Sequence, residues 1–129
     1  MNLIDGKKIA QEIRGRVSAR ILNMQKKPGL AVILVGTDPA SHLYVGLKER
    51  ACAQVGIHFE KHLFFASEPE KKILECIREL NARGDIHGIL VQLPLPGHLN
   101  EDTIIAAIDP RKDVDGFHPE NQKLFLEGT

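Results

Sequence analysis

The sequence predicts an α/β fold, a three-layer α/β/α sandwich around a mainly parallel sheet, built as a single domain. Three observations carry this expectation. Helix-like and strand-like segments alternate along the chain. Leu30–Val35 is apolar throughout and Ile86–Leu93 is largely so, which is how strands buried on both faces read. The segments between the strand-like runs are long enough to cross over a sheet and return parallel, which antiparallel hairpins do not need. A length of 129 residues suffices for one domain with its own core.

The first helix is expected over residues 5–26, where Ile9, Ile13, Val17 and Ile21 recur at four-residue spacing, and Lys27-Pro28-Gly29 stops it. Leu30–Val35 follows as the first strand. Asp38 is a suitable N-cap and Pro39 suits the first helical position, so a second helix should run to about Gln54 and end near Gly56. Its natural core contact is the stripe Leu43, Leu47, Ala51 and Val55. Ile57–Phe65 alternates imperfectly and reads as a second strand. Ser67 with Glu70 has the form of a capping box ahead of Ile73, Leu74, Ile77 and Leu80. Ile86–Leu93, centred on Gly88–Val91, is the third strand. Asn100 should cap a short helix through Ile104, Ile105 and Ile108, which Pro110 ends. The domain is expected to occupy residues 1–120, with 121–129 starting a linker.

Composition narrows the partner. Lys plus Arg balance Asp plus Glu at 17 each, so no net charge points to nucleic acid or an anionic membrane surface. One Tyr and no Trp leave no stacking platform for single strands. No stretch approaches the roughly 20 apolar residues of a membrane span, and the amino terminus lacks a secretory apolar run. Cys52 and Cys76 fall in helical patterns and read as free, buried thiols of a reducing, cytoplasmic compartment. The six histidines lack zinc spacing, so no metal is expected. Gly36-Thr37-Asp38-Pro39 lacks the glycines of a nucleotide-binding loop. A small molecule is the expected partner.

Three places could carry chemistry. Ser41, Tyr44 and Lys48 share one helical face. A lysine at the edge of a buried stripe can be desolvated into a general base, or it can simply snorkel its ammonium to water. Gln92 follows a buried strand, where parallel sheets gather ligands, and its amide can donate and accept at once; it could equally bond a loop carbonyl. Pro110–Gly116 carries Asp113 and Asp115, either a carboxylate anchor for a heterocycle nitrogen or an Asp capping its own turn. The strand-end rule alone favours Ser41 over Lys48, which lies nine residues past Pro39, roughly 14 Å along the helix.

In combination these segments resemble one family. Val35–Val45 with Lys48 and Val55-Gly56-Ile57, then Gly88–Pro96, then Pro110–Pro119, are similar in order and content to three signatures of the bifunctional methylenetetrahydrofolate dehydrogenase/cyclohydrolases, amino-terminal catalytic domain. The resemblance implies that Lys48 is the catalytic base and acid, that Gln92 hydrogen-bonds it, and that Tyr44 stacks on the folate near the reacting carbon. It implies that Leu93 and Pro94 line the substrate with them and that Asp115 anchors the pterin. The activity implied is oxidation of methylenetetrahydrofolate to methenyltetrahydrofolate with NADP, then hydrolysis to formyltetrahydrofolate. The family continues into a Rossmann-type domain that holds the NADP, is typically a homodimer, and carries a glycine where Lys123 stands here. Hydride transfer by these 129 residues alone is therefore not expected. A folate-binding or dimerisation module without turnover is the alternative, and a generic α/β interaction domain a more distant one.

Overall fold

The computed structural model describes residues 2–128. Along them run α1 (Gly6–Leu22), β1 (Gly29–Val35), α2 (Pro39–Val55), β2 (His58–Phe64), α3 (Glu70–Ala82), β3 (Gly88–Val91), α4 (Glu101–Ala107) and α5 (Pro119–Leu126). The strands form a parallel sheet in the order β2-β1-β3, which is the expected α/β architecture.

The apolar run of β1 follows from its central place. Ala31, Ile33 and Val35 face one way and join Ile73, Ile77 and Leu80 of α3 and Ile104 of α4. Val32 and Leu34 face the other way and join Val45 of α2 and Leu90 of β3. Successive strand side chains alternate between faces, so a strand covered on both sides must be apolar at every position. On the outer side, α1 packs across the second half of α2, with Ile13 and Val17 near Ala51, Cys52 and Val55.

Several element ends differ from expectation. α1 stops at Leu22 because Asn23 and Met24 donate backbone bonds to Arg20 and Ile21, tightening the last turn. The Ser67–Glu70 capping box does not form. Pro69 holds the cap position with no side-chain bond, Ser67 lies in the preceding turn, and the Glu70 carboxylate instead accepts the Asn100 amide at 2.9 Å. β3 covers only Gly88–Val91, although Gln92 continues the ladder by donating to the Ile33 carbonyl at 2.9 Å. The next peptide, Leu93–Pro94, is cis, and proline has no N–H to extend the ladder. α5 runs across residue 120 and has no buried residue.

Asp38 caps α2, Asn100 caps α4, and Gly56 closes α2 at φ +92°, a conformation that favours glycine. Asn81 ties α3 to α4: its amide donates to Ala107 at 2.8 Å, and its oxygen accepts from the Asp109 amide at 2.9 Å. Cys52 and Cys76 are free; Cys52 is buried and Cys76 only half-buried. Burial pushes both thiols up, Cys76 to about 11 with help from Glu79 and Glu60. Among the described residues no helix is long and apolar enough to cross a membrane.

Lys112 closes the far end of α3. Its ammonium donates to the carbonyls of Leu80, Asn81 and Arg83 at 3.1, 2.9 and 2.7 Å, groups that no further helical turn can satisfy. Replacing Lys112 with methionine keeps the stem and removes these bonds. Urea unfolding should register a loss of about 2 kcal/mol, and an unchanged midpoint would show that water replaces the ammonium at no cost.

Candidate active site

The carboxyl ends of the three strands lie together, and the order β2-β1-β3 puts a switch point between β1 and β3, where the chain leaves the sheet in opposite directions. Gly36 leaves β1 on one side of that point and Gln92 leaves β3 on the other.

α2 brings Lys48 to this point by a face that periodicity misjudged. Leu43 and Leu47, the expected core contact, are 57% and 51% exposed, whereas Ser41, Val45, Cys52 and Val55 are buried. Lys48 stands three residues after Val45 and four before Cys52, on the stripe turned towards the sheet. Its Nζ donates to Gln92 Oε1 at 2.7 Å, a partly buried bond between residues 44 positions apart. Gln92 Nε2 donates to the Leu93 carbonyl at 3.2 Å, so both ends of the amide are engaged. Ser41, which the strand-end rule favoured, is spent on local structure. Its amide and hydroxyl donate to Asp38 Oδ2 at 2.9 and 2.8 Å, and the hydroxyl above all holds the Asp38 carboxyl below the usual carboxylate range.

Tyr44 sits one turn before Lys48 and is 53% exposed. Leu93 packs in part on the core, and Pro94 is exposed beside Gln92. The third contribution is the loop after α4. Ile89 donates to the Lys112 carbonyl at 2.8 Å and pairs with Asp113 in an isolated parallel bridge, which lays the loop along β3. The close approach needs Gly88, where an added Cβ would lie 2.6 Å from Val114 Cγ1. Asp115 follows, exposed and without a hydrogen bond or ion pair among the described residues. Desolvation raises its pKa, Lys48 opposes that rise through its charge, and Asp113 adds to it. The lysine, the amide and the carboxylate thus converge on one rim. A cavity of about 620 Å³ lies between Asp115–Phe117 and α5 and meets this rim only at Asp115.

Residues 4–115 match the model of the tetrahydrofolate dehydrogenase/cyclohydrolase catalytic domain. This chain belongs to that family. It is 47% identical to the bifunctional protein FolD of Nautilia profundicola over 99% of its own length and 46% of that protein's. The figures for the second FolD of Geobacter metallireducens are 49%, 98% and 45%. The crystal structure of the FolD enzyme of Campylobacter jejuni superposes with a TM-score of 0.97 at 39% identity, covering 99% of this chain and 46% of that one. A Trypanosoma brucei dehydrogenase-cyclohydrolase complexed with NADP cofactor and inhibitor superposes at 0.91 with 29% identity, over 95% and 43%. The chain spans about half the length of the curated relatives it matches.

Of the two carboxylates the sequence offered, Asp113 is the one that caps its own turn, and sequence reasoning gave no role to its neighbours Asn121 and His118. Asp113 accepts from the Gly116 and His118 amides at 3.1 and 2.9 Å and from Asn121 Nδ2 at 2.9 Å. Burial alone would raise its pKa, but the Asn121 amide and the backbone N–H groups of His118, Gly116 and Phe117 hold it below the usual range. His118, buried, accepts the Glu120 amide at the start of α5 and reaches the Ala106 carbonyl. His58 and His62 flank the Glu60 carboxylate, itself held by Arg83, and do not approach the site. Among the described residues no cluster of three or more His, Cys, Asp or Glu side chains could hold a metal ion.

Proposed function

We propose that this chain is the folate-binding, catalytic part of an enzyme that interconverts one-carbon tetrahydrofolates, and that its own residues carry the hydrolysis of the methenyl bridge to a formyl group. The observation that supports this most is the 2.7 Å bond from Lys48 Nζ to Gln92 Oε1 at the switch point of the sheet. The bridge carbon of a methenyl folate is an amidinium-like electrophile, and water attacking it must lose a proton. The Lys48 amine is the group placed to take that proton and later return it to the departing nitrogen. The amide oxygen of Gln92 accepts from the nitrogen in either protonation state, so it aims Lys48 without adding a charge that would pin the proton. Tyr44 offers an exposed ring for the folate to stack on, Leu93 and Pro94 offer its wall, and Asp115 offers an acceptor for pterin N–H groups.

The dehydrogenase step belongs to the same proposal at the level of the longer protein. NADP accepts the hydride in that step. This chain has no glycine fingerprint that fits a dinucleotide, so its binding is assigned to the part of the relatives beyond the matched half. A cytoplasmic setting, which the two free thiols suit, and a homodimer of the longer protein complete the proposal.

The test follows methenyltetrahydrofolate absorbance in the presence of this chain, with buffer hydrolysis subtracted, alongside thermal melting with the same folate. Chain-dependent loss of absorbance supports the hydrolytic reading. A higher melting temperature without turnover supports the folate-binding module instead, and no rise at all sinks both, since a ligand of the native state must stabilise it.

Asp115 sets a pH dependence. Burial pushes its carboxyl above the usual carboxylate value in the free chain, and a pterin N–H bonded to it favours the ionised form. Folate affinity should therefore be full above that raised pKa and fall as pH drops through it. Calorimetric titrations across acid pH should show this limb in the unsubstituted chain and lose it in Asp115→Asn. An identical limb in both proteins would remove Asp115 from the binding site.

A further inference from the structure

Asp113 and Asp115 are two residues apart and opposite in situation. Asp115 is exposed and has no hydrogen-bond or ion-pair partner among the described residues, whereas the Asp113 carboxylate accepts three hydrogen bonds, from the amides of Gly116 and His118 and from Asn121 Nδ2. These bonds close residues 113–118 into a ring with Asp115 at its tip, and Gly116 takes the φ of +74° that the turn requires. The ring is fastened on two sides. Towards the sheet, Ile89 bonds the Lys112 carbonyl and pairs with Asp113, while the Lys112 ammonium is bound to the end of α3. Towards α5, the single amide nitrogen of Asn121 donates to the Pro110 carbonyl at 2.8 Å and to Asp113 Oδ2 at 2.9 Å, tying α5 to the start of the loop.

We infer that Asp113 and Asn121 are positioning residues: together they clamp the loop so that the Asp115 carboxylate stands at a fixed place on the rim shared with Lys48 and Gln92, and so set how the folate ring is seated. This rests on the proposed function, because the seating role needs a folate. The clamp itself does not. A charge-assisted acceptor with three donors is hard to replace with water all at once, and removing the Asn121 donor releases Pro110 and Asp113 from α5 together. Neither residue touches the ligand in this scheme; both act through Asp115.

The test uses Asn121→Ala, which deletes one half-buried side chain on α5 and leaves the core intact, and Asp113→Asn, which keeps shape and removes charge. Amide relaxation of residues 114–117 reads the order of the loop, and calorimetry with 5-formyltetrahydrofolate reads affinity. Asn100→Ala is the control, since it removes a comparable local bond at the start of α4 that is not made by the loop. Both clamp variants should loosen residues 114–117 and weaken folate binding by about tenfold or more, while the control lowers the melting temperature and leaves affinity unchanged. A loop that stays as rigid in both variants overturns the clamp, whatever the ligand does. A loosened loop with unchanged affinity overturns the seating role. If the unsubstituted chain binds no folate, the proposed function and the seating role fall together, and the loop order alone then decides the clamp.

Discussion

Replacing Lys48 with methionine is expected to slow chain-dependent hydrolysis of methenyltetrahydrofolate by about 10²–10⁴-fold, the range that one well-placed proton-transfer group contributes. Methionine is the informative substitution because it keeps an unbranched stem between Val45 and Cys52 on the sheet-facing stripe of α2. What disappears is Nζ, and with it the 2.7 Å bond to Gln92. The melting temperature should therefore stay close to that of the unsubstituted chain while turnover collapses. Folate affinity separates two accounts. If affinity holds and the rate falls, Lys48 acts in proton transfer; if both fall together, it acts mainly in binding. Hydrolysis that persists in Lys48→Met at the rate of the unsubstituted chain would remove this lysine from the mechanism.

Ile33→Ala is expected to destabilise the domain by about 2–5 kcal/mol, a large part of the stability of a domain of this size. Ile33 has no exposed surface. It lies in the middle of the central strand, paired with His62 on β2 and Val91 on β3, and faces the cluster that contains Ile73 and Ile77. α3 and α4 are fixed to one another through Asn81 and cannot collapse freely into the space left behind. Urea unfolding reads the loss. The matched substitution Leu63→Ala removes an equally large side chain that is 60% exposed on β2 and should move stability by no more than about 0.5 kcal/mol. Similar losses from the two would mean that burial does not govern the core as described.

The sheet was legible where strands are apolar on both faces. Leu30–Val35 could hardly be anything but a covered central strand, and α2 announced both ends through Asp38, Pro39 and Gly56. Its orientation was not legible, because hydrophobicity selects Leu43 and Leu47 while the buried stripe contains Ser41 and Cys52. Ser41 can be buried because Asp38 satisfies it, a fact no apolar count contains. That error placed Lys48 at the edge of the core when it lies on the inward stripe, and only the family resemblance put it ahead of Ser41. The Lys48–Gln92 bond joins residues far apart in sequence, beyond any local periodicity. The difference between Asp113 and Asp115 is local: the sequence allowed an Asp capping its own turn without saying which, and donors from Gly116, His118 and Asn121 separate the saturated one from the open one. The Ser67–Glu70 motif erred the other way, since a local signature was present and Pro69 took the cap position.

The strand order has a consequence for synthesis. β1 is the most apolar strand and sits between two others, yet it leaves the ribosome first of the three. β2 can shelter one edge soon afterwards. The other edge stays open until all of α3 has been made and β3 arrives, which at roughly 5–20 residues per second leaves it bare for some seconds. Through that interval the nascent chain presents an unpaired, apolar strand edge, the feature most prone to join a neighbouring chain. Holding Ala31–Val35 apart from other chains until Gly88–Val91 emerges is therefore a demand that this topology places on the cell.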